Sequence, residues 1–160
     1  NTFHNYGTVT KHLSGETIDV DTFRVIDVLT KDEINNGLDL IRMDVEGHEV
    51  DVLNGMMDAI QSGVLSPSIV FETHISRYTE QNDMSKTLRK LFDCGYQVKY
   101  MASSWQEGTA IIKKFGYSEI TNIKTDGVIR AIFENINHED AIEIICKTGG
   151  ARTVYIERSS

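Results

Sequence analysis

The chain of 160 residues has one proline, two cysteines and no run of basic residues. Cys94 and Cys146 stand far apart, with no Cys-x-x-Cys or His-x-His companions, so neither a zinc site nor a disulfide framework is indicated and reduced, buried thiols are expected. The formal net charge is -8. Without clustered Lys or Arg, nothing here offers the basic surface that a phosphate backbone requires, so no nucleic-acid partner is expected. No stretch approaches the roughly 18 apolar residues of a membrane helix, and no basic start with an apolar core resembles a signal peptide. A cytoplasmic protein without a membrane partner is the expectation. Pro67 stands alone, with no Gly/Ser-rich stretch and no internal repeat, which argues for one unit over residues 1–160. Gly-x-Gly-x-x-Gly is also missing among the 12 glycines, so no phosphate-cradling loop is expected.

What is present is an alternation of short apolar runs with amphipathic segments, at 40% hydrophobic and 25% charged residues, the balance of a globular domain. Leu38 to Val45 reads as a strand covered on both faces, because few of its positions are polar. Gly47 breaks it. His48 to Ser62 carries Val50, Leu53, Met56, Met57 and Ile60 on one helical face, with Gly63 placed to stop the helix. After Pro67, Ile69 to Phe71 reads as a strand running to Glu72 and His74. Asp83 to Cys94 reads as a helix capped by Asp83 and ended by Gly95, and Tyr96 to Met101 as a third strand. This order is that of an open α/β sheet. Upstream, Thr17 to Val25 predicts a strand leading into a helix over Ile26 to Asn35. Downstream, Trp105 to Phe115 and His138 to Lys147 predict helices. Ser118 to Ile123 and Val128 to Phe133 predict a hairpin across Lys124 to Gly127, and Thr153 to Glu157 a closing strand.

In such sheets ligands bind beyond the carboxyl ends of the strands. The first strand ends in Asp44-Val45-Glu46-Gly47-His48-Glu49, the second in Glu72-Thr73-His74. Asp44 and Glu46, two apart, share a face of an extended strand, where two carboxylates can orient a hydroxyl, hold a cation or act as a base. Gly47 allows a sharp turn close to a ligand. Glu49 falls in the first helical turn, where the helix dipole favours a carboxylate whatever the function, and capping alone also accounts for acidic residues here. Glu72 and His74 share a face and equally suit a surface pair. His48 has no second histidine at i+4 and reads as a helix-start residue. His4, His12 and His138 carry no signal. Trp105, Tyr96, Tyr100 and Tyr117 suit a core more readily than a pocket.

The segment Leu38-Asp-Leu-Ile-Arg-Met-Asp44-Val-Glu46-Gly47-His-Glu49-Val-Asp-Val-Leu53-Asn-Gly55 resembles the signature of FkbM-type methyltransferases. In these a strand ending in Asp-x-Glu-Gly-x-Glu runs into a helix bearing Leu-x-Gly. Val20 to Leu29 and Pro67 to Glu72 resemble flanking parts of that family, and the likeness extends from about Val20 to Tyr100. It implies a Rossmann-like class I methyltransferase fold, a mostly parallel sheet with an antiparallel last strand. The three runs would be strands 4, 5 and 6, strands 1–3 would be missing, and residues 1–160 would form the C-terminal part of a single methyltransferase domain.

The implied activity is transfer of a methyl group from S-adenosylmethionine to a hydroxyl of a sugar, polyketide or related small molecule. By the resemblance, Asp44, Glu46 and His74 are the catalytic candidates, with His74 able to relay a proton. Glu72, His48 and Glu49 would contact the acceptor, Met43 and Asp44 the cofactor, and no metal is assigned. The family's glycine loop and ribose-binding acidic residue would precede this segment, so weak cofactor binding and low activity are expected of the chain alone. Two other classes remain. One is a non-catalytic module that pairs with another chain or with itself through an open sheet edge. The other is a hydrolase or phosphotransferase using Asp44, Glu46 and His74 on Mg²⁺.

Overall fold

The computed structural model of the chain describes residues 6–10, 17–36 and 40–159. β1 (Tyr6–Thr10) and β2 (Thr17–Asp21) form an antiparallel pair of their own. Two short helices follow, α1 (Val25–Val28) and α2 (Lys31–Asn36). The single helix expected over Ile26 to Asn35 is therefore split, and a capping box explains the break. The Thr30 hydroxyl accepts from the Glu33 amide at 3.2 Å, while the Glu33 carboxylate accepts from the Thr30 amide at 2.8 Å, which starts a new helix at Lys31.

The remaining elements are β3 (Leu40–Met43), α3 (Glu49–Gln61), β4 (Ser68–Glu72), α4 (Met84–Asp93), β5 (Tyr96–Ser103), α5 (Gln106–Lys114), β6 (Thr121–Thr125), β7 (Val128–Ile136), α6 (His138–Glu143) and β8 (Ala151–Arg158). Six strands form one sheet in the order β3-β4-β8-β5-β7-β6. The fold is α/β with a mixed sheet. The last strand is antiparallel to both its neighbours, as expected. The rest of the sheet departs from the mostly parallel expectation, because among the described residues β3 with β4 is the one parallel pair. Two features cause this. β8 inserts between β4 and β5, and the turn at Asp126 (φ 51°) and Gly127 (φ 76°) folds β6 back on β7.

The apolar spacing of the sequence is spent as expected. Leu53, Met56 and Ile60 of α3 are fully buried against the sheet's Ile69 and Phe71, with Leu88 and Leu91 of α4 in the same core. Each such side chain contributes roughly 1.5–3 kcal/mol. Asp83 caps α4 by accepting from the Lys86 amide at 3.1 Å. Cys94 and Cys146 are free but only half-buried, and burial pushes the Cys146 thiol up to about 11. Among the described residues no helix is long and apolar enough to cross a membrane.

Candidate active site

β3 is shorter than expected, ending at Met43, and Leu38 lies outside the described residues. Asp44 and Glu46 therefore do not share the face of an extended strand. The chain turns at once, with the His48 amide donating to the Val45 carbonyl at 3.2 Å and with Glu46 (φ 52°) and Gly47 (φ 104°) both left-handed. Gly47 is required twice over. Its φ disfavours any side chain, and a Cβ there would lie 2.5 Å from Cβ of Arg77. The Asn82 side-chain amide donates to the Gly47 carbonyl at 2.8 Å and pins the turn.

His74 gathers what the strand no longer aligns. It follows β4, just before a 3-10 turn at Ile75–Arg77, and its side chain is 12% exposed. Its Nδ1 lies 2.9 Å from Oε1 of Glu49, while Nε2 lies 3.6 Å from Oε2 of Glu46 and 3.9 Å from Oδ1 of Asp44. Glu49 is fully buried, and its Oε1 also accepts from the Val45 amide at 3.2 Å. The carboxylate in the first turn of α3 thus fixes both the histidine ring and the acidic turn. The His74 amide donates to the Tyr78 hydroxyl oxygen at 3.1 Å, and burial pushes the Tyr78 phenol well above its ordinary range.

Asp44, Glu46, Glu49 and His74 are brought together, and Glu72 joins them. One ligand atom each from Asp44, Glu72 and His74 lies within 4.8 Å of the others, and Arg152 of β8 pairs with Oε2 of Glu72. His48 turns away to Asp51 at 3.0 Å and is exposed. Met43 is buried in the core, so of the two residues expected at the cofactor only Asp44 opens to the rim. Of the aromatic residues, Tyr96 is buried, whereas Trp105 is 60% and Tyr100 40% exposed, against the expectation of core positions. Trp105 precedes α5 at the end of β5.

Sequence reasoning did not single out Arg77, Tyr78, Asn82 or Arg152. Tyr78 acts on His74 four residues before it, whereas the roles of Arg77, Asn82 and Arg152 come from contacts with residues distant along the chain, as where β8 sets Thr153 opposite Glu72.

A family model described as the Methyltransferase FkbM domain matches residues 3–98. No curated protein and no solved structure matches.

Proposed function

The chain belongs to the FkbM methyltransferase family, and from that premise we propose that it carries the acceptor side of an S-adenosylmethionine-dependent O-methyltransferase acting on a hydroxyl of a sugar, polyketide or related small molecule. The observation that carries this reading is the exposed Glu46 carboxylate beside His74 and Asp44, beyond the carboxyl end of β3. That is the rim where open α/β sheets bind ligands.

The rim suits the cofactor in charge, since a sulfonium is a cation and both Asp44 and Glu46 present carboxylates there. S-adenosylmethionine, when bound, supplies an electrophilic methyl group. Glu46, with its side chain 80% exposed, accepts the proton of the acceptor hydroxyl. Asp44, one-third exposed, orients that hydroxyl. His74, held by Glu49 from below, keeps the two carboxylates converging on one point. Glu72, fixed by Arg152, forms the neighbouring wall. General-base assistance of this kind is worth roughly 10²–10⁴-fold. Family membership also favours methyl transfer over the hydrolase and phosphotransferase readings.

The test is transfer of labelled methyl from S-adenosylmethionine to a panel of hydroxyl acceptors by the wild type and by Glu46→Gln. Turnover is expected to fall about 100-fold with cofactor affinity unchanged. Equal loss of both would move Glu46 from chemistry to structure.

One observation favours a second reading. The outer edge of β3 has no strand partner among the described residues, and Leu40 there is 53% exposed. Such an edge invites pairing with further strands, with a second copy or with another chain. A non-catalytic pairing module would sediment as an assembly and transfer no methyl group.

A further inference from the structure

We propose that Asp44, Glu72 and His74 bind one divalent transition-metal cation at the rim. The three offer two carboxylates and an imidazole with ligand atoms within 4.8 Å of one another; donors on one ion at roughly 2.0–2.2 Å stand at most about 4.4 Å apart, so small side-chain rotations close the set on a cation.

A second observation lies outside that trio. Glu49 is fully buried with Oε1 on Nδ1 of His74, and its Oε2 has no hydrogen-bond partner among the described residues. A buried carboxylate so placed accepts from Nδ1 and leaves Nε2 as the ring atom facing outward. Facing it are oxygens of Glu46 at 3.6 Å and Asp44 at 3.9 Å, and a carboxylate oxygen has no proton to donate. Both separations are longer than a hydrogen bond, and a cation between Nε2 and these oxygens would offset their crowded negative charge. Metal-bound histidines typically give their other ring N–H to a carboxylate, which raises ligand basicity. Glu49 occupies that outer position, and the added positive charge offsets the cost of its burial.

Two cations stand beside the ligand set: Arg152 pairs with Oε2 of Glu72, and Arg42 stands 3.9 Å from Asp44 with its own side chain exposed. The set of donors favours Mn²⁺, Fe²⁺ or Zn²⁺ over Mg²⁺ and Ca²⁺, because the imidazole is a softer ligand than oxygen. With the cation in place Nε2 of His74 is a ligand and relays no proton, so the acceptor's proton goes to Glu46 alone.

The experiment is titration of the 160-residue chain with Mn²⁺ in excess Mg²⁺, read by loss of the free-ion paramagnetic resonance signal. No cofactor or acceptor is present, so the result is independent of the methyl-transfer reading. One Mn²⁺ per chain is expected to resist Mg²⁺. Asp44→Asn and His74→Ala should each weaken it at least about 10-fold, and Glu49→Gln about 10-fold through the ring alone. Asp51→Asn, on the exposed pair with His48, should change nothing. Binding that excess Mg²⁺ abolishes, or that falls equally in Asp44→Asn and Asp51→Asn, overturns the site. Asp44 is on the surface, so its variant decides the matter even where circular dichroism shows Glu49→Gln unfolded.

Discussion

The ends of β3 and β4 and the end of β5 lie on one rim, since Glu72 pairs opposite Thr153 and Ser103 opposite Ala151 on β8. Both ends bury polar groups, but to different effect. At the end of β5 the buried Ser103 hydroxyl accepts from the Ala131 amide at 3.0 Å and from the Thr109 hydroxyl at 2.7 Å. The buried Arg130 guanidinium donates to the Ser103 and Ser104 carbonyls and, at 2.7 Å, to Thr125. This is a satisfied network that joins β5 to the hairpin. At the ends of β3 and β4 four carboxylates surround one imidazole, one carboxylate is fully buried, and a left-handed turn holds them. Satisfied buried polar groups support a fold, whereas crowded like charges cost it stability and persist where a ligand or a reaction uses them.

Substitutions at the two ends should separate these roles. Arg130→Ala is expected to cost the most, about 2–3 kcal/mol in urea denaturation, because it strips charged donors from buried carbonyls. A cost near zero would place that network on a par with surface pairs such as Arg89 with Glu139. Gly47→Ala should follow at about 1–3 kcal/mol for the left-handed backbone alone, and an unchanged denaturation midpoint would mean that Arg77 and the turn give way freely. Glu49→Gln should have the smallest effect, within about 1 kcal/mol of wild type or slightly stabilising, since it relieves a buried charge. A loss as large as that of Arg130→Ala would erase the contrast between the two ends.

Much of the fold was legible because local physics governs it. The 3.6-residue spacing of Val50, Leu53, Met57 and Ile60 makes α3, Asp83 and Gly95 bracket α4, and Asp126-Gly127 turns the hairpin. The capping box Thr30-Lys-Asp-Glu33 is equally local. The place of β8 was not legible, since its insertion between β4 and β5 depends on pairing across long separations.

The site was legible in membership more than in geometry. Asp44, Glu46, Glu72 and His74 stand out by lying past apolar runs, but the density of apolar residues extends the strand to Val45, whereas β3 ends at Met43 and the chain turns through left-handed Glu46 and Gly47. The burial of Glu49 could not be read, because a carboxylate in a first helical turn looks the same whether it faces water or a histidine.

Ligand chemistry belongs to the rim formed by Asp44, Glu46 and His74. The most direct measurement is a titration of S-adenosylmethionine into the ¹⁵N-labelled chain, followed by amide chemical shifts, which detects weak binding as readily as tight. Shifts are expected to concentrate at Asp44 to His48 and Thr73 to Ile75. Shifts confined to the opposite rim, around Gly63 and Gly95, would contradict it.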